Sequence, residues 1–189
     1  MKRIIIVPIF TSSREKRLWL YALIVFVSIL STLAFGRPLQ EMLRDQNIQA
    51  IFFSLGMLLT GGAIIAHGLK VRPSNTEIAI WFGLAAVFIM FIFRLGAPER
   101  SHLMEYSVLA IFIHKAFIER VNQGKRIPMP GLFSFVIAFL IGVLDECIQL
   151  FLPNRVFDLL DILFNGFAVT MAIGTSVFIT WVQKRIAKS

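Results

Sequence analysis

The sequence of 189 residues has little of what soluble and disulfide-stabilised proteins depend on. It contains one cysteine, Cys147, so an internal disulfide is excluded. Charged residues make up 16% of the chain, whereas about 25% is usual in soluble proteins. Sequence repeats, low-complexity tracts and long linkers are also missing. These absences leave a single bundle with little room for a soluble domain.

Long apolar runs are what the sequence does contain. Hydrophobic residues make up 57% of the chain, and the mean hydropathy is +0.78. Runs of roughly 20 apolar residues, enough to cross a bilayer, recur from Leu18 onward. They predict an integral membrane protein of the all-α class. The net charge of +8 then reflects topology and anionic lipid headgroups rather than nucleic acid.

Six apolar runs predict a polytopic bundle of six transmembrane helices. The runs cover about residues 18–36, 48–69, 76–95, 101–121, 131–152 and 155–183. We expect a cytoplasmic or interfacial segment at 1–17, one transmembrane domain at 18–183 and a cytoplasmic tail at 184–189. The basic residues before the first run also resemble a signal peptide, but the length of the run favours a retained helix.

The distribution of Lys and Arg predicts the orientation of these helices. With six spans, 14 of the 19 Lys and Arg residues lie on the side that carries both termini. The positive-inside rule places that side in the cytoplasm. Eight of the 11 acidic residues fall in the opposite, outer half. We therefore expect a multi-pass protein whose functional pocket faces outward.

Two adjacent carboxylates, Asp145 and Glu146, lie inside the fifth run. A charged side chain near the centre of a spanning helix costs about 2.5–3.5 kcal/mol on insertion scales, so it needs a partner or a water-filled pocket. At about 1.5 Å of rise per residue, Asp145 lies as deep as Glu105 and Asp161 in the neighbouring helices. Helical spacing adds further polar residues to the same three faces. These are His102, Tyr106, Gln149 and Asn165.

A pocket formed by these faces is suited to acid and base chemistry. Closely spaced carboxylates in a low dielectric cannot all ionise, so one of Asp145 and Glu146 is expected to be a protonated acid. Glu105, His102 or Asp161 would be the base or nucleophile. Two arginines near the rim could hold a phosphate. The residues expected to bind or orient a substrate are Arg100, Arg155, Tyr106, Gln149 and Asn165.

Other interpretations of the same residues stay open. The acids and arginines could form a buried structural network that fixes helix packing. Asp158 suits the first turn of the last helix as well as it suits the site. A metal site that combines His102 with Glu105 and a further acid is geometrically possible. One histidine and no compact ligand motif favour a site without a metal or other cofactor.

Two motifs in these helices resemble those of the VanZ-like family. The segment from Glu99 to Tyr106 is similar to its first motif, ERxHxxEY, and the segment from Asp145 to Asn165 is similar to its second, DExxQxFxPxRxxxxxDxxxN. The resemblance covers about residues 95–170. The founding member is associated with reduced susceptibility to the glycopeptide antibiotic teicoplanin. The resemblance therefore implies a bacterial inner-membrane protein that affects the cell envelope and antibiotic resistance.

Two functions follow as alternatives. In the first, the chain is a membrane-embedded hydrolase or transferase that acts by acid and base chemistry on a lipid-linked or glycolipid envelope substrate. In the second, the pocket binds a lipid, an antibiotic or an ion without chemistry, as a transport or masking protein. Membrane lipids are expected partners in both cases, and nucleic acid in neither. The sequence indicates no particular oligomeric state.

Overall fold

The computed structural model describes residues 9–43, 74–94, 97–152 and 157–186. Within these ranges the regular secondary structure is helical, and no strand is present. The helices are α1 (Ser13–Leu43), α2 (Asn75–Arg94), α3 (Ala97–Asn122), α4 (Pro130–Gln149) and α5 (Leu159–Ile186). The all-α prediction is confirmed for this part of the chain.

Three of these helices are long and apolar enough to cross a membrane. The candidate spans are Ser13–Leu33, Pro130–Gln149 and Leu159–Arg185. α2 and α3 are helical where the third and fourth spans are predicted, but they are not among the candidates. The second predicted run, 48–69, lies outside the described residues. The described residues therefore indicate a helical membrane protein with three candidate spans, fewer than the predicted six, and they do not test the second predicted span.

Side-chain caps fix the first residues of α1 and α2, and the cap of α2 is a reciprocal capping box. At α1, the backbone N–H of Glu15 donates to Ser12 Oγ at 3.0 Å, and Glu15 Oε2 accepts from the backbone N–H of Thr11 at 2.6 Å. At α2, Ser74 and Glu77 make the reciprocal pair at 3.3 and 2.9 Å. Such caps satisfy N–H groups that have no partner inside the helix. α1 therefore begins before its predicted apolar run.

Pro130 and Asp158 mark the starts of the last two helices. Pro130 occupies the first turn of α4, where its missing N–H costs no helix bond, and follows Met129 in the left-handed conformation. Asp158 Oδ1 accepts a hydrogen bond from the backbone N–H of Leu160 at 2.8 Å. Asp158 therefore caps α5 from outside the helix, rather than lying in its first turn.

α3 is the central helix of the described bundle although it is rich in polar residues. It packs against α1, α4 and α5, and α4 also packs against α5. A helix with three neighbours can turn its polar side chains toward protein instead of lipid. The buried apolar residues of its core include Leu103, Leu109, Ala110 and Ile113 of α3, Ala138 of α4, and Ala168, Val169 and Ala172 of α5.

Large apolar side chains cover the outward faces of the three candidate spans. Leu23 of α1, Leu140 of α4 and Leu163 of α5 are each more than half exposed. In water such faces would be costly, whereas lipid tails are a favourable environment for them. This distribution agrees with a bundle that lies in a membrane.

Candidate functional site

The predicted polar faces of α3, α4 and α5 meet at one end of the bundle. His102 lies in the second turn of α3, and Asp145 and Glu146 lie near the end of α4. Asp161 lies in the first turn of α5. The start of α3, the end of α4 and the start of α5 are therefore neighbours in space. We call His102, Asp145, Glu146 and Asp161 the acid–His cluster.

Short distances join the members of the acid–His cluster. A ring nitrogen of His102 and one carboxylate oxygen from each of Asp145 and Glu146 lie within 4.8 Å of one another. His102 Nε2 also lies 3.9 Å from Asp161 Oδ2. Asp145 and Glu146 are buried, whereas His102 and Asp161 are partly exposed. Titratable groups from three helices therefore share one largely enclosed site.

Glu146 ties the end of α4 to the start of α5. Its Oε1 accepts a hydrogen bond from Gln149 Nε2 at 2.8 Å, one turn along the same helix. Its Oε2 accepts from the backbone N–H of Asp158 at 3.2 Å. Both donors are neutral, so these hydrogen bonds position the carboxylate without supplying a positive charge.

Tyr106 lines the site from α3 and is fully buried. Its ring stacks on the His102 ring, with centroids 6.1 Å apart and an interplanar angle of 10°. Its hydroxyl lies close enough to Asp145, Glu105 and Glu146 to interact with these acids electrostatically. Tyr106 therefore restricts the orientation of His102 and faces the acids of α4.

Asn165 lies one turn beyond Asp161 on the same face of α5. It is fully buried, and neither Oδ1 nor Nδ2 forms a hydrogen bond with any described residue. Gly142 of α4 permits its position, since a Cβ at 142 would stand 3.0 Å from Asn165 Cβ and 3.3 Å from Tyr106 Cε1. A buried polar group left unpaired costs about 1–3 kcal/mol. The amide therefore indicates a polar partner at this place.

The structure brings most of the predicted site residues together. Glu105 is partly exposed and lies on α3 beside Tyr106. The side chain of Arg100 and the whole of Arg155 lie outside the described residues. The phosphate contact of these arginines and the chemical roles of the other residues stay predictions. The predicted residues that meet at this end are His102, Glu105, Tyr106, Asp145, Glu146, Gln149, Asp161 and Asn165.

Two contributors to the site are not singled out by the sequence analysis. Gly142 belongs to a row of small residues, with Ser134 and Ala138, that repeats every four positions on the buried face of α4. Small residues at this spacing allow close helix contact, and that pattern is the signal that would find Gly142. The backbone N–H of Asp158 carries no comparable signal, because every residue except proline has one.

A second polar cluster lies at the opposite end of α3. Glu15 of α1 is fully buried, and its Oε1 pairs with Arg120 Nε at 2.8 Å. Glu119 Oε1 accepts from Ser12 Oγ at 2.9 Å and from Gln123 Nε2 at 3.0 Å. These contacts join the start of α1 to the end of α3. We call this set the Glu15–Arg120 network, and its internal pairing indicates a structural role.

No family model, no curated protein and no solved structure matches this chain. The VanZ-like resemblance therefore rests on its two sequence motifs. His102 lies beside three acidic residues, so the site has proton donors and acceptors close together, as acid and base catalysis requires.

Proposed function

We propose that this chain is a VanZ-like protein of the bacterial cytoplasmic membrane that acts on a lipid-linked or glycolipid substrate of the cell envelope. The observation that carries the proposal is the approach of His102, Asp145 and Glu146 to within 4.8 Å. Ionisable groups inside membrane helices are costly, and where they occur they mark substrate, ion or proton sites. A functional site explains their clustering better than helix packing, for which apolar contacts suffice.

The proposed chemistry divides the cluster into an acid and a base. Asp145 and Glu146 supply the acid, because two neighbouring carboxylates in a low dielectric do not both ionise. His102 is suited to be the base, since its contact with Asp161 resembles the arrangement in which a carboxylate orients a catalytic imidazole. Glu105 or Asp161 could take the same role, or that of the nucleophile.

The proposed substrate has a polar headgroup and an apolar tail. The site lies near one end of a bundle whose outward faces are apolar, so a lipid could bring its headgroup to the cluster. The unpaired amide of Asn165 supports a hydrogen-bonding headgroup. Arg100 and Arg155 are proposed to hold a phosphate of that headgroup. Hydrolysis or transfer at such a lipid would change the envelope and, with it, susceptibility to teicoplanin.

The proposal includes six transmembrane helices with both termini in the cytoplasm. The excess of Lys and Arg on the side of the termini supports this orientation. In it, the acid–His cluster belongs to the outer half of the membrane, where envelope lipids are exposed for modification.

The test compares envelope lipids in cells that lack the native copy. Wild type, Asp145→Asn and Glu146→Gln are expressed at equal levels, and extracted lipids are compared by mass spectrometry. We expect wild type to generate or consume a lipid species and each variant to slow that change by about 10²–10⁴-fold, the range associated with a general acid or base. Both substitutions keep the shape of the side chain and remove its ionisable group.

Glu119→Gln is the matched control. It makes the same carboxylate-to-amide change in a buried residue at the other end of α3 and is expected to leave lipid turnover intact. Lipid masses that wild type itself leaves unchanged would contradict the catalytic proposal. Binding or transport of a lipid, antibiotic or ion without chemistry would then be the better account of the pocket.

A further inference from the structure

The acid–His cluster has the donor atoms and spacing of a metal site. One nitrogen of His102 and two oxygens from Asp145 and Glu146 lie within 4.8 Å of one another. Ligands on opposite sides of a zinc ion would be about 4.2 Å apart, twice the usual ligand distance. Small side-chain rotations therefore suffice to bring all three atoms to one cation. We propose that these three residues bind one divalent transition-metal cation.

The second nitrogen of the His102 ring supports this assignment. Metal-binding histidines use one nitrogen for the metal and usually direct the other at a carboxylate or carbonyl. His102 Nε2 faces Asp161 Oδ2, and Nδ1 is buried without a hydrogen-bond partner among the described residues. One ring nitrogen therefore lies near a carboxylate, although beyond hydrogen-bond distance, and the other has no partner among the described residues. Tyr106, stacked on the ring, further limits its rotation.

The amide of Asn165 is an independent sign that something polar belongs here. It is fully buried, pairs with no described residue, and adjoins Gly142, which also lies close to Tyr106. Buried polar groups are almost always hydrogen-bonded, to protein or to an ordered water or ligand. Water molecules that complete the coordination of a cation in the cluster would supply the missing partner.

The donor set selects the class of metal. Carboxylates suit Mg²⁺, Ca²⁺ and Mn²⁺, whereas imidazole suits zinc, iron, nickel and copper. One imidazole with two carboxylates therefore favours Mn²⁺, Fe²⁺ or Zn²⁺. A divalent cation would also add positive charge beside Glu146, whose hydrogen bonds come from neutral donors. In the sequence, a metal site is disfavoured because the predicted pocket contains only one histidine. The structure favours such a site because Asp145 and Glu146 both lie close to that histidine.

In the proposed function, this cation would polarise a phosphate oxygen or activate a water molecule at the substrate. His102, Asp145 and Glu146 would then be its ligands rather than the base and the acid, and Glu105 or Asp161 would take the role of base. That use of the metal rests on the proposed function. The proposed binding of the cation does not, because it is inferred from the geometry of its ligands. The two can therefore be tested separately.

The test uses the full chain, purified in detergent micelles and freed of metal with a chelator that is then removed. Mn²⁺ is titrated in, and the free ion is measured by electron paramagnetic resonance, with Zn²⁺ added as a competitor. We expect one saturable Mn²⁺ per chain that Zn²⁺ displaces. His102→Gln and Glu146→Gln are each expected to weaken binding at least tenfold, and Asp161→Asn, which removes the carboxylate behind the ring, about 10–100-fold.

Glu119→Gln again serves as the control, and its affinity for Mn²⁺ is expected to equal that of wild type. Thermal unfolding of each variant establishes whether it is folded. If a ligand variant is not folded, the affinity of Asp161→Asn for Mn²⁺ still tests the site. Absence of saturable binding to wild type, or wild-type affinity in folded His102→Gln and Glu146→Gln, overturns the metal site. Mn²⁺ binding by a protein that alters no lipid contradicts only the proposed enzyme activity.

Discussion

Gly142 is the residue at which helix packing and the candidate site meet. A Cβ added there would lie 3.0 Å from Asn165 Cβ, 3.2 Å from Asn165 Nδ2 and 3.3 Å from Tyr106 Cε1. Both neighbours are fully buried, so neither can move aside without disturbing other contacts. The absent side chain at 142 therefore sets how closely α4 approaches α5 and α3.

We predict that Gly142→Ala destabilises the protein, with Gly174→Ala as its control. Overpacking a filled core costs about 1–3 kcal/mol, which outweighs the gain of about 1 kcal/mol that alanine brings to a helix. Gly174 lies in α5, and no neighbouring atom lies within 4 Å of its added Cβ. Gly174→Ala therefore brings the gain in helix propensity without the cost of overpacking. Thermal unfolding in detergent should give a lower midpoint for Gly142→Ala than for wild type and no decrease for Gly174→Ala. Equal midpoints for the two variants would refute the close approach.

The residues of the site could be predicted from the sequence, whereas their contacts could not. Helical spacing places His102 and Tyr106 on one face, and the rise per residue puts Asp145 and Asp161 at the same depth. Whether Asn165 has a hydrogen-bond partner depends on the distances between helices, and residue spacing along one helix does not predict those distances. The short distances from Asp145 and Glu146 to His102 are unpredictable for the same reason.

At the scale of whole helices, the sequence predicts where helices occur better than where they begin. Apolar runs locate five described helices because burial and lipid contact both require them. α1 begins earlier than its run because Ser12 and Glu15 cap it with polar groups. α5 begins after Asp158 for a similar reason, since that side chain caps it. Hydropathy does not detect capping residues, so the errors in predicted helix boundaries occur at the helix ends.

Because Glu15 of α1 pairs with Arg120 of α3, we expect the packing of α1 against α3 to depend strongly on Arg120. Arg120→Gln removes the partner of a carboxylate that is 0% exposed, which should destabilise the protein by about 1–3 kcal/mol. Arg14→Gln is the matched control, because Arg14 is 68% exposed and lies 3.6 Å from Glu119. Exposed pairs contribute about 0.2–1 kcal/mol. Thermal unfolding of both variants in detergent checks the difference.

A double substitution separates the loss of the pair from the cost of an unpaired charge. Adding Glu15→Gln to Arg120→Gln removes the buried charge that the single variant leaves behind. We expect the double variant to be less destabilised than the sum of the two single variants, because a buried ion without its partner is the main cost. Additive effects would show that the two side chains act independently.

For the whole molecule, the described contacts place two different polar clusters at the two ends of α3. One end holds the acid–His cluster, and the other holds the Glu15–Arg120 network together with the loop that carries Lys125 and Arg126. Polar α3 occupies the centre, where α1, α4 and α5 shield it. Counting spans from apolar runs treats every helix as lipid-facing, which explains why α3 fits the prediction as a helix but not as a candidate span.

The excess of basic residues predicts that the Glu15–Arg120 end faces the cytoplasm and the acid–His end faces outward. A Cys147→Ala background allows single cysteines to report this: Leu150→Cys follows α4 at the acid–His end, and Lys125→Cys lies in the loop before α4. A membrane-impermeant maleimide should label Leu150→Cys in intact spheroplasts and Lys125→Cys only after permeabilisation. Both positions lie outside the candidate spans and are exposed, so accessibility within the protein does not distinguish them. The reverse pattern would place the acid–His cluster in the inner leaflet and exclude an outer-leaflet substrate.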